Sequence, residues 1–247
     1  MRSLLAVGLA SLAAALLVWA SWPLQADPVE FIPGEVAGLV VVNRVPPSFA
    51  FLADTRLAEW ISDDPAELES VIRERLGSVG LEAVTEHVER AALAIMGFEQ
   101  RDRLRFRIDF IAALQPRSGS RGALRDWILE TVANRFEEQG SVTRADGPTT
   151  VLQGSSPGQI FYLSESGDCL IMSNSESGWR SVETLRLEPQ QRLLRQPRFQ
   201  LALREVPLTS DLFVYLRGGD AYGLVPEFAY SIDVRNGEAV EKYFELP

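Results

Sequence analysis

One uncharged run near the start of the chain constrains everything that follows it. Leu4–Trp22 contains 19 residues without a charge. That length is close to the ~20 apolar residues that a helix needs to cross a bilayer, and it exceeds the ~7–15 of a signal-peptide core. Arg2 precedes the run, and Asp27 is the first charge after it. We therefore predict an N-terminal hydrophobic helix within residues 1–26. Because basic residues stay on the cytoplasmic side, we predict that residues 27–247 form an exported domain.

Two fates of this segment remain open. Trp19 and Trp22 stand at the far end of the run, where aromatic rings favour the membrane interface, and they indicate an uncleaved anchor. Pro23, which breaks a helix, and Leu24-Gln25-Ala26, which ends in a small residue, are typical of a cleavage site. An anchored chain lies in the cytoplasmic membrane with its domain on the periplasmic side, and a cleaved chain is periplasmic.

Charge and composition exclude several classes of protein. The sequence has 24 basic and 34 acidic residues, a net charge of −10 and a pI of about 4.8, whereas nucleic-acid binding requires a basic surface against the phosphates. A single cysteine and a single histidine exclude an internal disulfide, a cysteine-based zinc site and the common histidine-rich metal sites. We therefore predict no nucleic-acid partner, no metal and no cofactor.

Hydrophobic periodicity and turn signals predict the fold class. Hairpin patterns outnumber strand–helix–strand crossovers, and Asn236-Gly237 suits a type I′ turn. The predicted fold is α+β, a largely antiparallel sheet with helices packed on one face, built as one unit or as two lobes, about 27–140 and 141–247. The predicted helices are 48–61, 65–77, 80–92, 121–138, 175–187 and 197–205. The predicted strands are 36–43, 92–98, 103–114, 212–216, 228–234 and 239–246, with several short strands within 141–173.

Four segments follow one another in a recognisable order. Ile32–Asn43 leads through Pro-Gly into a hydrophobic strand, Phe161–Asn174 forms a hairpin pattern, and Pro197-Arg198-Phe199 and Asp211–Leu216 read as a helix start and a strand. This order resembles an uncharacterised bacterial cell-envelope family, although Glu35 stands where that family usually has threonine and this chain is short for it. The resemblance implies an exported, often singly membrane-anchored domain with no assigned catalysis, and it carries over no functional residue.

Four arginines form the best candidate binding surface in the sequence. Arg101, Arg103, Arg105 and Arg107 alternate with other residues, three of them apolar, and a strand with a period of two places alternate side chains on one face. Guanidinium groups bind carboxylates and phosphates through paired hydrogen bonds. The four are therefore suited to a carboxylate, a lipid head group or an acidic partner surface. The alternative is the solvent face of a half-buried strand.

Three features that resemble catalytic groups have simpler explanations. Gly154–Gly158 matches G-x-S-x-G around Ser156, but a predicted strand follows it and His87 precedes it, whereas a nucleophile elbow needs a helix and a later histidine. His87 lies among charged residues on a predicted helix, which indicates a solvated position. Cys169 follows Asp168, whose charge raises the pKa of a thiol. We therefore predict no catalytic residue.

The sequence favours a function in binding rather than catalysis. Residues 54–90 carry ten acids and four bases, which form either a docking surface for a basic partner or, as such helices usually do, a solvated face. We expect a non-catalytic, membrane-anchored extracytoplasmic domain that acts through protein contacts, as an accessory subunit of a membrane complex or an envelope factor. The alternative is a periplasmic binder of a lipid or other amphipathic ligand, and a hydrolase using Ser156 is disfavoured.

Overall fold

A computed structural model describes most of the chain from Asp27 onwards. The described residues are 27–44, 55–56, 82–102, 105–137, 141–146, 148–155, 158–218, 226–236 and 238–247. The predicted N-terminal helix within 1–26 and the predicted helices 48–61 and 65–77, apart from residues 55 and 56, lie outside them. Among the described residues, no helix is long and apolar enough to cross a bilayer.

Ten strands form one antiparallel sheet in the order β10-β9-β8-β1-β2-β3-β7-β6-β5-β4. The strands are β1 Gly38–Val42, β2 Val88–Asp102, β3 Arg105–Pro116, β4 Ser141–Asp146, β5 Thr149–Gly154, β6 Ile160–Ser166, β7 Cys169–Ser173, β8 Leu212–Leu216, β9 Phe228–Arg235 and β10 Glu238–Glu245. β1 pairs with β8, and β3 pairs with β7. Strands from both sides of residue 140 therefore belong to the same sheet, and the predicted antiparallel α+β class is confirmed.

The turns between these strands follow from local sequence. Asn236 has φ 55° at the β9–β10 turn, the left-handed conformation that asparagine tolerates in a type I′ hairpin. Gly167 has φ 57° between β6 and β7, where a residue with a Cβ would be strained. The predicted strand 212–216 is confirmed residue for residue as β8, and the predicted meander within 141–173 is confirmed as β4 to β7.

Three α-helices are described in full. They are α1 Arg121–Glu137, α2 Glu176–Leu187 and α3 Pro197–Glu205, and all three were predicted within one residue. Ser175 caps α2, since its hydroxyl accepts a hydrogen bond from the Gly178 N–H at 3.1 Å, and Pro197 occupies the first turn of α3, where its missing N–H costs nothing.

The helices pack on both faces of the sheet, so the predicted one-sided arrangement is wrong. Ile111 and Ala112, consecutive on β3, belong to two different hydrophobic clusters, because successive strand residues point to opposite faces. The Ile111 cluster contains Trp179 of α2 and Phe199 of α3, and we call this side the α2–α3 face. The Ala112 cluster contains Leu124 of α1, and we call this side the α1 face. The sheet carries apolar side chains on both faces, and helices cover part of each face.

The predicted helix 80–92 is wrong over its last five residues. Residues 82–87 are helical, but β2 begins at Val88. Val88 is fully buried in the α1-face cluster, and Ala92 and Ala94 are fully buried in the α2–α3 cluster. The apolar residues of this segment therefore belong to a strand that buries side chains on both faces of the sheet. A continuous apolar run of this kind does not distinguish a helix from a buried strand by periodicity alone.

Phe199 offers a direct test of the α2–α3 core. Its ring is fully buried and makes edge-on contacts with Phe213 and Tyr215, at centroid distances of 5.9 and 5.0 Å. We expect Phe199→Ala to lower the free energy of unfolding by about 3–5 kcal/mol because it removes a buried ring and leaves a cavity. The matched control is Leu187→Ala, since Leu187 is 85% exposed, and it should change stability by less than about 0.5 kcal/mol. Urea denaturation of both variants checks this, and equal losses would contradict the assigned core.

Candidate functional site

A polar pocket lies where β3 ends and α1 begins. Its volume is about 340 Å³, at the small end of the ~300–1,000 Å³ of ligand sites. The side chains that matter chemically are those of Glu89, Gln115, Arg117, Ser118, Arg121 and Asp168. They come from the start of β2, from the continuous stretch that joins the end of β3 to the start of α1, and from the β6–β7 turn. Charged and amide groups from three separate segments of the chain therefore meet around one small cavity.

A tight turn shapes one wall of this pocket. The Ser120 N–H donates to the Arg117 carbonyl at 2.9 Å, and Gly119 between them has φ 80°, which is the positive φ that the third position of a type II turn requires. The Leu124 N–H then donates to the Ser120 carbonyl at 2.9 Å and closes the first turn of α1. The amide groups of that first turn have no intrahelical acceptor, so this end of α1 favours negative charge.

Gln115 is a buried polar side chain in an otherwise apolar strand. It is only 3% exposed, and its Oε1 has no hydrogen-bond partner in the described part of the chain. It follows the run Ile111–Leu114, whose members contribute to both hydrophobic clusters. A buried amide oxygen without a donor costs about 1–3 kcal/mol, and most buried polar groups in native proteins have a hydrogen-bond partner.

The charges around the pocket are unequally paired. The Arg121 guanidinium is 3.0 Å from the Asp168 carboxylate and 4.0 Å from that of Glu165. Arg117 and Glu89 also line the pocket and are exposed, and within the described residues neither side chain has an ion-pair partner. One guanidinium, one carboxylate and the Gln115 amide oxygen are therefore available to a ligand.

A second polar network adjoins the pocket. The Arg90 guanidinium donates to Asp27 Oδ2 at 3.0 Å and to Asn43 Oδ1 at 2.8 and 3.0 Å. Arg90 lies directly opposite Gln115 in the β2–β3 register, so the two side chains share one face of the sheet. The Asn43 amide in turn donates to the carbonyls of Leu208 and Ser210 at 2.6 and 2.7 Å. This network holds Asp27, the first described residue, beside the pocket.

Cys169 is buried near both the polar pocket and the Arg90 network. Its side chain is fully buried at the start of β7, and burial, with the nearby charges of Asp168 and Asp27, raises the pKa of its thiol from 9.0 to about 12. A nucleophilic cysteine needs a lowered pKa, so this thiol stays protonated at neutral pH. The expectation that Asp168 raises this pKa is confirmed, with burial as the larger cause.

A third polar cluster lies near the chain's last residue. Glu227 is 7% exposed and accepts hydrogen bonds from the Tyr215 hydroxyl and from Arg198 Nε, the latter at 2.6 Å. Arg198 also donates to the Pro247 carbonyl at 3.1 Å. Burial and the Glu227 carboxylate raise the pKa of Tyr215 above its ordinary value. Because every group here has a partner, the cluster serves to join α3, β8 and the last residues of the chain.

The four arginines predicted as a binding surface do not share one strand. Arg101 lies on β2, and Arg105 and Arg107 lie on β3. Arg103 lies outside the described residues. Arg107 pairs with Glu99 in the backbone register. The backbone places the arginines around the β2–β3 hairpin, away from the end of β3 where the pocket forms.

The remaining sequence candidates are placed as follows. His87 is half-buried rather than solvated, because β2 starts immediately after it, and its Nδ1 is buried without a partner in the described part of the chain. Ser156 lies outside the described residues, while β6 follows the loop, as the hairpin interpretation predicts. No group of three or more His, Cys, Asp or Glu side chains within the described ranges is placed to hold a metal ion.

Sequence reasoning missed the pocket residues. Arg117-Ser118-Gly119-Ser120 before a predicted helix is a signal for a turn and a helix start, and such a start attracts anions. Gln115 is a second signal, because it is a polar residue inside an apolar strand pattern. Neither signal reveals that Glu89 and Asp168, from distant parts of the chain, complete the same cavity.

The raised pKa of Cys169 predicts a specific loss of stability at alkaline pH. Below pH 9 the thiol is protonated in both folded and unfolded chains. Between pH 9 and about 12 only the unfolded chain loses the proton, which lowers the free energy of unfolding by up to about 1.4 kcal/mol per pH unit. We expect Cys169→Ala to lack this component. Urea denaturation of both proteins between pH 8 and pH 10 measures it, and parallel pH profiles would contradict the assignment.

The Arg90 network predicts a second change in stability. Arg90→Leu leaves Asp27 and Asn43, both partly buried, without their shared donor, and we expect a loss of about 1–3 kcal/mol in the free energy of unfolding. The control is Arg235→Leu, because Arg235 is 70% exposed and 3.8 Å from Asp233, and such surface pairs contribute little. Thermal and urea denaturation compare the two variants. A loss for Arg90→Leu no larger than for the control would show that the network does not secure Asp27.

Comparison of the chain with protein-family models, with curated proteins and with solved structures finds no match. The resemblance to a cell-envelope family therefore stays a hypothesis from the sequence, and the site rests on its own geometry.

Proposed function

We propose that this protein is a non-catalytic extracytoplasmic domain, tethered to the cytoplasmic membrane by residues 4–22, that acts through contacts with another protein. It works as an accessory subunit of a membrane complex or as an envelope factor. The tether is supported by the uncharged run Leu4–Trp22 and by the network that fixes Asp27, five residues later, to the domain. A domain attached so closely to its anchor meets partners of the same membrane.

The observation that carries the contact function is an apolar strip on the α1 face of β2 and β3. Leu93 is 42% exposed and Ile108 is 46% exposed, and the paired residues Ile95 and Phe110 between them are half-buried. Covering exposed apolar area gains about 25 cal/mol per Å², and neighbouring exposed apolar side chains mark contact sites. The occupant is a protein subunit of the same membrane, whose charged rim is basic because this chain carries −10.

The non-catalytic character is supported by the candidate nucleophiles themselves. Cys169 is buried, with a thiol pKa raised to about 12. The G-x-S-x-G loop is followed by the strand β6, whereas a nucleophile elbow is followed by a helix. The burial of Cys169 and the strand that follows the G-x-S-x-G loop therefore argue against covalent catalysis by Cys169 or Ser156.

The second candidate function, binding of a lipid or other amphipathic ligand, is favoured by one observation. The polar pocket lies beside Arg90, which holds Asp27 at the end of the predicted tether. Together with the proposed tether, this position supports binding of a ligand at the membrane surface.

A pull-down from native membranes in mild detergent tests the contact function. We expect the tagged full-length chain to retain a stoichiometric partner, and we expect Leu93→Glu and Ile108→Glu to reduce its recovery by about tenfold or more, since each places a charge in the apolar contact. Leu187→Glu is the matched control, because Leu187 is an exposed leucine on α2, and it should retain the partner.

Two further measurements make the result decisive. Circular dichroism and the melting temperature establish that each variant folds, and the intact mass of the bait establishes whether residues 1–26 remain. A full-length bait with a partner that the strip variants lose supports the proposal. A bait cut near Ala26 that purifies alone, or a partner retained equally by all variants, overturns it.

A further inference from the structure

The proposed tether puts the polar pocket at the end of the domain nearest the membrane. Trp22 is five residues before Asp27, so extended chain carries Asp27 at most about 18 Å from the predicted span. Asp27 is 3.0 Å from Arg90, and Arg90 lies opposite Gln115, which lines the pocket. Given the proposed tether, on which this inference rests, lipid head groups are the nearest ligands to this cavity.

The available groups around the cavity specify the chemistry of the ligand. Arg117 and the free amide groups of the first turn of α1 favour an anion, and a guanidinium binds phosphate oxygens through paired hydrogen bonds. Glu89 and the buried Oε1 of Gln115 are acceptors, so they pair with a hydrogen-bond donor, and the charge of the Glu89 carboxylate favours a cationic one such as an ammonium group. Arg121 is already paired with Asp168. The unpaired charges are one positive and one negative, and the complementary ligand is a small zwitterion.

We propose that this pocket binds a phosphoethanolamine group, with its phosphate on Arg117 and the start of α1 and its primary ammonium on Glu89 and Gln115. Phosphatidylethanolamine of the anchoring membrane is the source that the position beside the tether favours. The primary ammonium is the essential feature, because a trimethylammonium group has no N–H to satisfy Gln115 Oε1. A head group without a cation leaves the charge of Glu89 uncompensated, even where its hydroxyls donate to the two acceptors.

Native mass spectrometry of the purified full-length chain in mild detergent tests this assignment. The chain is titrated with dioleoyl lipids that differ only in head group: phosphatidylethanolamine, phosphatidylcholine and phosphatidylglycerol. We expect phosphatidylethanolamine to bind about tenfold or more tightly than either of the others, since each substitute loses charged hydrogen bonds. Equal binding of all three lipids would overturn the proposal.

Two variants and one control assign the preference to this pocket. Arg117→Ala removes the unpaired guanidinium, and Gln115→Leu replaces the unpartnered amide by a side chain of similar size. Each should weaken phosphatidylethanolamine binding about tenfold. Gln115→Leu should not lower the melting temperature, because it removes an unsatisfied buried group, so a loss of binding alone identifies a ligand contact. Arg235→Ala, an exposed arginine on β9, should bind as the wild type does. Binding by Arg117→Ala at the wild-type level would overturn the site, whether or not Gln115→Leu folds.

A soluble competitor distinguishes the two sources of the same chemistry. O-phosphoethanolamine should displace the lipid only weakly, and inorganic phosphate should not displace it. If O-phosphoethanolamine binds as tightly as the lipid, the pocket chemistry stands and the lipid source is overturned. The lipid titration uses purified protein, so it does not depend on the partner. A chain that captures no protein partner can still show the head-group preference, and the two proposals can fail separately.

Discussion

The architecture depends on the pairing of β1 with β2 on one side and with β8 on the other. β1 stands near the beginning of the described domain, and β8 lies about 170 residues further along the chain. The sheet therefore cannot close until both parts of the chain have been brought together, which makes its contacts non-local and its folding slow. The result is that β1 becomes a central strand whose side chains alternate between two hydrophobic clusters. Leu39 and Val41 are buried in the cluster that α2 and α3 cover.

The polar groups of the pocket and of the Arg90 network lie at or just beyond the ends of the strands. Inside the sheet both faces are apolar, so a charged side chain there has no water and few partners. At the end of the sheet where β1 ends and β7 begins, four polar residues lie near one another: Asn43, Arg90, Gln115 and Asp168. The same end receives Asp27. Asp27, the Arg90 network and the pocket thus share one location at the rim of the sheet.

Much of the architecture could be predicted because it depends on local chemistry. Asn236 and Pro197 each favour a turn or a helix start through their own covalent structure, and the structure places both as expected. The segment after residue 87 could not be predicted in this way. Its apolar residues fit a helix or a two-sided strand equally well, and only the partners on each side decide between them. The one-sided packing of helices was wrong for the same reason.

The features of the candidate site likewise divide into those that local sequence predicts and those that depend on the tertiary structure. The sequence by itself determined the uncharged N-terminal run, the net negative charge, the antiparallel class and the direction in which Asp168 shifts the pKa of the Cys169 thiol. Each of these depends on composition or on neighbours in the chain. Only the tertiary structure decided that Glu89, Gln115, Arg117 and Asp168 surround one cavity, because their proximity arises from strand register and from the order of strands in the sheet. Register depends on how two apolar faces are filled by residues far apart in the sequence, and no local pattern encodes that choice.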